Sequence, residues 1–300
     1  MLEYVGKLAV AGMAGVELLF PQLVRTGWEE WPLPESLQNP PVRATYLAAN
    51  RFGDLYVLDG ENYRILLLPG DGSGPRTAGG WGGHGDRFQT ATHITASPGL
   101  NVLVCDNTTQ RIVIFDRRLN FVGERVVTTV GPSSSDSPYK IAQNRLGEMV
   151  VVTSGEWEVH LISADFRLMA TVGDAAYGES RLGEITDLSL GGNDEIGIVD
   201  ADAGLLLLLT RAGEIKRRIP LPEPGTELLE WWGDRWLVMG PSGDLYELSA
   251  SGREFRMIPG QRRKEPAPAP GDFVVSRNTV VVTDDPSGKL YRARLISVED

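Results

Sequence analysis

Four side chains able to exchange protons or form ion pairs recur at one spacing. Tyr46, His93, Lys140 and Asp187 stand 47 residues apart, and Glu227 and Asp272 follow at related positions. Each precedes an apolar run, as in His93-Ile-Thr-Ala and Asp187-Leu-Ser-Leu. A phenol, an imidazole, an ammonium and three carboxylates gathered in one place could hold a polar ligand, a peptide or an ordered water cluster. Lys140 is the one cation of the set whose charge does not depend on pH, and His93 adds charge below about pH 6.5. The same groups could instead satisfy one another and buried water.

A second candidate is the stretch GGWGGHGDRF, Gly79 to Phe88. Glycine-rich loops cradle phosphate when a helix follows and presents free amide groups, but here a strand-like run follows. His84 and Asp86 lack clustered partners, and the chain has only three histidines, so neither a metal site nor a Ser-His-Asp arrangement can be placed. Asp200-Ala-Asp202 and Asp284-Asp285 offer carboxylates for calcium, although acids at strand exits usually cap turns. The lone Cys105 makes neither an internal disulfide nor a cysteine-based zinc site. No cofactor or metal is implied.

The elements that must position these residues are repeats. Six apolar runs, DLYVLD, NVLVCD, MVVVTS, IGIVD, RWLVMG and TVVVTD, end at residues 59, 106, 153, 200, 240 and 284. The first intervals are 47 residues each, and the last two are 40 and 44. β-Branched runs closed by turn residues read as buried strands. A strand-like stretch precedes each run, and two more follow most of them. Four strands every 40 to 50 residues, with no convincing helix between, predict an all-β, six-bladed β-propeller of four-stranded antiparallel blades. The sixth unit ends without an outermost strand, so Leu23–Pro34 is expected to complete the last blade and close the ring.

The glycine loop belongs to the same repeat. Gly79 and Gly173, Phe88 and Leu182, and His93 and Asp187 each stand 94 residues apart, twice the 47-residue interval. It therefore carries the chain from one blade to the next, where positive φ and close backbone approach call for glycine. By the same pseudo-symmetry, Tyr46, His93, Lys140, Asp187, Glu227 and Asp272 should ring one mouth of the central channel.

The units resemble NHL repeats, whose blades carry Pro near the inner strand, then Gly, an apolar run ending in Asp, and Arg-Ile. Unit one shows the pattern in NPPVRATYLAANRFGDLYVLDGENYRILLLPGDG, and unit two keeps Asp106 and Arg111-Ile112. Units three to six hold the hydrophobic pattern and lose most of the signature residues. The resemblance spans residues 21 to 300 and implies the propeller fold. Propellers of this kind serve as scaffolds, receptors, lyases and hydrolases, so fold alone does not assign an activity.

Composition narrows the partners. A chain of 300 residues that is 42% hydrophobic and 23% charged is that of a folded domain. A net charge of −11 repels a phosphate backbone, so nucleic acid is not an expected partner. The apolar start, MLEYVGKLAVAGMAGVELLF, is too short and too interrupted by acids for a membrane span. It reads either as an export signal, placing the protein in the periplasm or outside the cell, or as a contact segment of a cytoplasmic protein. The linker QRRKEPAPAPG, Gln261 to Gly271, offers an extended handle. Two functional readings follow. One is a non-catalytic binding or scaffold propeller holding a protein partner, alone or as a subunit of a larger assembly. The alternative is a lyase, lactonase or other hydrolase acting at the central channel, against which the single ring histidine and the metal-repelling Lys140 weigh.

Overall fold

A computed structural model describes residues 22–96, 101–126, 137–155, 157–173, 182–249, 252–261 and 267–298. The N-terminal segment 1–20, the loop residues 174–181 and the basic core of the linker, 262–266, lie outside the described residues. Among the described residues the strands form six antiparallel sheets, and no helix is long and apolar enough to cross a membrane. The innermost strands are Ala44–Ala49, Ala91–Ala96, Pro138–Gln143, Ile185–Leu190, Leu228–Trp232 and Pro270–Ser276. Each contacts the innermost strand of the next sheet, and the sixth contacts the first, so the sheets close as the blades of a six-bladed propeller.

The second strand of each blade is the apolar repeat read in the sequence. Leu55–Asp59, Met149–Thr153, Ile196–Asp200 and Arg235–Met239 are buried along their whole length. Both faces of these strands are covered by neighbouring blades, which is why they read as unbroken apolar runs rather than as alternation. Four of the six runs end in Asp, and each of these has a structural task. Asp59 accepts hydrogen bonds from Arg43 N, Asn62 Nδ2 and Arg64 Nε, and Asp106 accepts from Gln89 N and Thr90 N. Asp200 takes Gly183 N and Ala203 N, and Asp284 takes Ala269 N and Ser287 N. Each carboxylate thus pins the incoming interblade crossing to the turn behind its own strand.

The glycine loop is one such crossing. Gly79 sits at φ +106°, and a Cβ there would stand 2.7 Å from the Tyr63 carbonyl oxygen and 2.8 Å from the buried ring of Phe88. Gly173, at φ +97°, faces Trp157 O and Leu182 in the same way. The 94-residue correspondence is therefore one of packing as well as of sequence.

The ring closes through the chain's two ends. Gln22–Arg25 forms the outermost strand of blade six, paired antiparallel with Lys289–Val298 from Gln22↔Val298 to Arg25↔Leu295. Glu29–Glu30 extends the pairing to Arg292 and Tyr291. Trp28 and Leu23 pack into one apolar cluster with Leu237, Phe273 and Val282. Replacing Trp28 by Ala should therefore cost about 3–5 kcal/mol of stability, read as a lower midpoint in urea denaturation. Replacing Gly79 by Ala should cost about 1–3 kcal/mol in the same assay, since strained φ and a closed contact coincide there.

Candidate functional site at the central channel

The inner strand of a propeller blade has a pairing partner on one side only. Its other edge turns free N–H groups toward the channel, and buried N–H groups must find acceptors. Asp187 accepts from its neighbour Leu188 N at 2.9 Å and from Leu229 N of the next blade at 2.7 Å. Asp272 repeats the arrangement with Phe273 N at 2.9 Å and Leu47 N of blade one at 2.7 Å. His93 Nδ1 accepts from Ile141 N of the next blade at 3.2 Å. One turn of the strand pleat deeper, Ser189 Oγ takes Trp231 N, and the Glu230 carboxyl takes Val275 N.

Five of the six sequence-predicted residues are brought together. Tyr46, His93, Lys140, Asp187 and Asp272 all follow an irregularity in inner-strand pairing, at Ala44/Tyr46, Ala91/His93, Pro138/Lys140, Ile185/Asp187 and Pro270/Asp272. Lys140 Nζ lies 3.6 Å from Asp187 Oδ1 and 5.2 Å from the centre of the Tyr46 ring, which stands edge-on to His93. They do not form an open mouth. His93, Lys140, Asp187 and Asp272 are only 8%, 3%, 4% and 5% exposed, so the group is packed among the inner strands and little of it meets solvent. A cavity of about 160 Å³ adjoins it, lined by His93, Asp187 and Asp272 themselves together with Gln143, Ser189 and Glu230.

Glu227 is not in the cluster. Blade five pairs without a bulge, and Leu228↔Met239 occupies the register that Tyr46↔Leu58 holds in blade one. The first hairpin of blade five is one residue shorter between equivalent pairs, Leu228↔Met239 against Tyr46↔Leu58, so a count of thirteen back from Gly240 goes one residue too far. Glu227 is exposed and lines a separate cleft with Pro241 and Pro270. The acid that blade five does send inward is Glu230. Its signal was present in LLEWW, a lone carboxylate within an apolar inner strand, at the position where the other blades place Ala48, Thr95, Ala142, Ser189 and Val274.

Electrostatics follow from burial. Burial would lower the pKa of Lys140, but the Asp187 and Asp272 carboxylates outweigh it, and the ammonium is held more firmly than usual. Burial, with help from Lys140, holds the His93 imidazole well below its ordinary value, and the Ile141 N–H donated to Nδ1 fits a neutral ring. Asp187 is raised by burial despite Lys140, and Asp272 is pushed up to about 7 by burial, with Asp187 adding to the shift. Glu230 is raised well above the usual carboxylate range, first by burial and then by Asp187 and Asp272. The buried Cys105 thiol is likewise raised by burial and is inert. Among the described residues no group of three His, Cys, Asp or Glu side chains is arranged to hold a metal ion.

A scan against protein-family models matches none. A search of curated proteins likewise finds no match. Solved structures do share the fold. Virginiamycin B lyase from Staphylococcus aureus matches with a TM-score of 0.62 at 12% identity, over 92% of this chain and 100% of that one. The β-propeller domain of Cps50 (Swd1) from Myceliophteria thermophila matches with a TM-score of 0.57 at 13% identity, over 85% and 82%. A lyase and a β-propeller domain thus stand at similar distance, and what they establish is the propeller fold.

The raised carboxyls set a direction for pH dependence. A carboxyl whose pKa is higher folded than unfolded binds more protons in the folded state, so stability falls as pH rises between the two values. For Asp272 that window runs from about 4, the ordinary aspartate value, to about 7. The unfolding free energy should accordingly decline from pH 4 to pH 7, and Asp272→Asn should flatten the decline. Urea titrations of both proteins at half-unit pH steps would check it.

Proposed function

We propose that the protein is a non-catalytic propeller that binds a protein partner, as a scaffold or as a subunit of a larger assembly. One observation carries the reading: His93, Asp187, Glu230 and Asp272 are each occupied by a backbone N–H of the following blade. Groups committed to holding blades together are poor candidates for a base or nucleophile, which must reach a substrate. Lys140 is buried and engaged with Asp187. The NHL-like pattern of unit one supports the same reading, since rigid discs with many loops suit protein recognition.

The lyase alternative draws on the Staphylococcus aureus neighbour, whose histidine-to-alanine variant, solved with quinupristin, is described as catalytically inactive. In this chain the histidine at the channel is His93, buried and already accepting from Ile141 N. His160 is buried in the third strand of blade three, and His84 lies on the glycine loop. Incubation with quinupristin, with and without divalent ions, should leave the compound unchanged by mass spectrometry; its turnover would overturn the proposal. Immobilised full-length protein should retain a stoichiometric protein partner from the native host. That retention should survive Glu230→Gln, which leaves the outer surfaces untouched.

A further inference from the structure

The seam between blades six and one packs Leu55, Val57 and Leu66 against Val281 and Leu290. Toward the face bearing the turns 50–54 and 277–278, this packing gives out into a groove of about 250 Å³. Leu55, Leu68 and Trp31 supply apolar walls, and Arg277, Arg292, Arg294 and Glu29 line the groove with them. Three guanidinium groups against one carboxylate leave a local charge of +2 (3 − 1) on a chain whose net charge is −11.

Among the described residues one of the three arginines is engaged in an ion pair. Arg292 is the one that pairs with Glu29, at 2.8 Å, and its guanidinium lies over Trp31 at 5.2 Å. Arg277 Nη2 donates to the Phe52 carbonyl oxygen at 3.2 Å and to the Gly70 carbonyl oxygen at 3.5 Å, which leaves Nε and Nη1 to face a ligand. Neither Arg277 nor Arg294 has a carboxylate partner among the described residues. Guanidinium groups suit bidentate binding of carboxylates.

We propose that this groove binds the C-terminal carboxylate of a partner polypeptide whose last residue is apolar. The inference rests on the protein-binding reading above and names its chemistry. In a chain terminus the carboxylate and an apolar side chain share one Cα, so arginines and apolar wall are engaged together. An inorganic anion would leave the apolar wall wet. The volume lies just below the roughly 300–1,000 Å³ of drug-sized sites and suits one or two residues.

The walls come from both chain ends, Glu29 and Trp31 on one side and Arg292 and Arg294 on the other, so the site exists only in the closed ring. A ligand that binds only the closed form stabilises it. The test uses fluorescein-labelled hexapeptides ending in Leu, as free acid and as amide, titrated with the full-length protein and read by anisotropy. The free acid should bind saturably and raise the melting temperature, and the amide should bind at least about tenfold more weakly. The Arg277→Gln/Arg294→Gln variant should melt like the parent without peptide and lose about tenfold in affinity for the free acid. Equal binding of acid and amide, equal binding by the variant, or no saturation up to about 1 mM overturns the proposal. A host protein retained equally by parent and variant would also remove the groove while leaving the scaffold reading intact.

Discussion

The free inner edge of each blade is the constraint on which the centre of this protein depends. Six innermost strands turn unpaired N–H groups toward one axis, and a buried donor without an acceptor is costly. The chain answers with side chains from the preceding blade. Asp187 and Asp272 do so in the same way, each joining the amide of its own next residue to the equivalent amide across the seam. A single carboxylate thereby sets the register of two blades against each other.

That solution sets the electrostatics. Placing carboxyls at a low-dielectric axis raises their pKa values, and only Lys140 stands among them as a compensating cation. The centre is then a buried cluster of acids with raised pKa values around one ammonium, beside a small cavity that His93, Asp187 and Asp272 help to line. Polar character at a propeller's axis arises here from backbone accounting before any ligand is considered. The groove proposed above for a chain terminus lies away from this centre, at a seam between blades where apolar packing ends.

The ends of the chain carry a second burden. Sheet pairing of Gln22–Arg25 with Lys289–Val298 removes an edge that would otherwise invite association, and Trp28 buries itself in the seam of blades five and six. Closure also creates surface that no local segment contains. The groove at the seam of blades six and one is assembled from residues 29–31, 53–70, 276–281 and 292–294.

Much of the architecture was legible because its causes are local and periodic. β-Branched runs at 47-residue spacing specify buried strands, the Asp that ends them specifies a turn, and a sixth unit lacking its outer strand specifies where the N-terminal strand must go. The axial placement of Tyr46, His93, Lys140, Asp187 and Asp272 followed from the same period. What only the tertiary structure decided depends on contacts across seams. A hairpin one residue shorter moved Leu228 into the register expected for Glu227, because strand pairing and not residue count fixes which side chain faces the axis. Glu230 became a channel group only once small residues of the other blades stood opposite it. Whether the predicted ring was exposed or buried was likewise a matter of packing, since exposure is a property of neighbours and no single strand carries it.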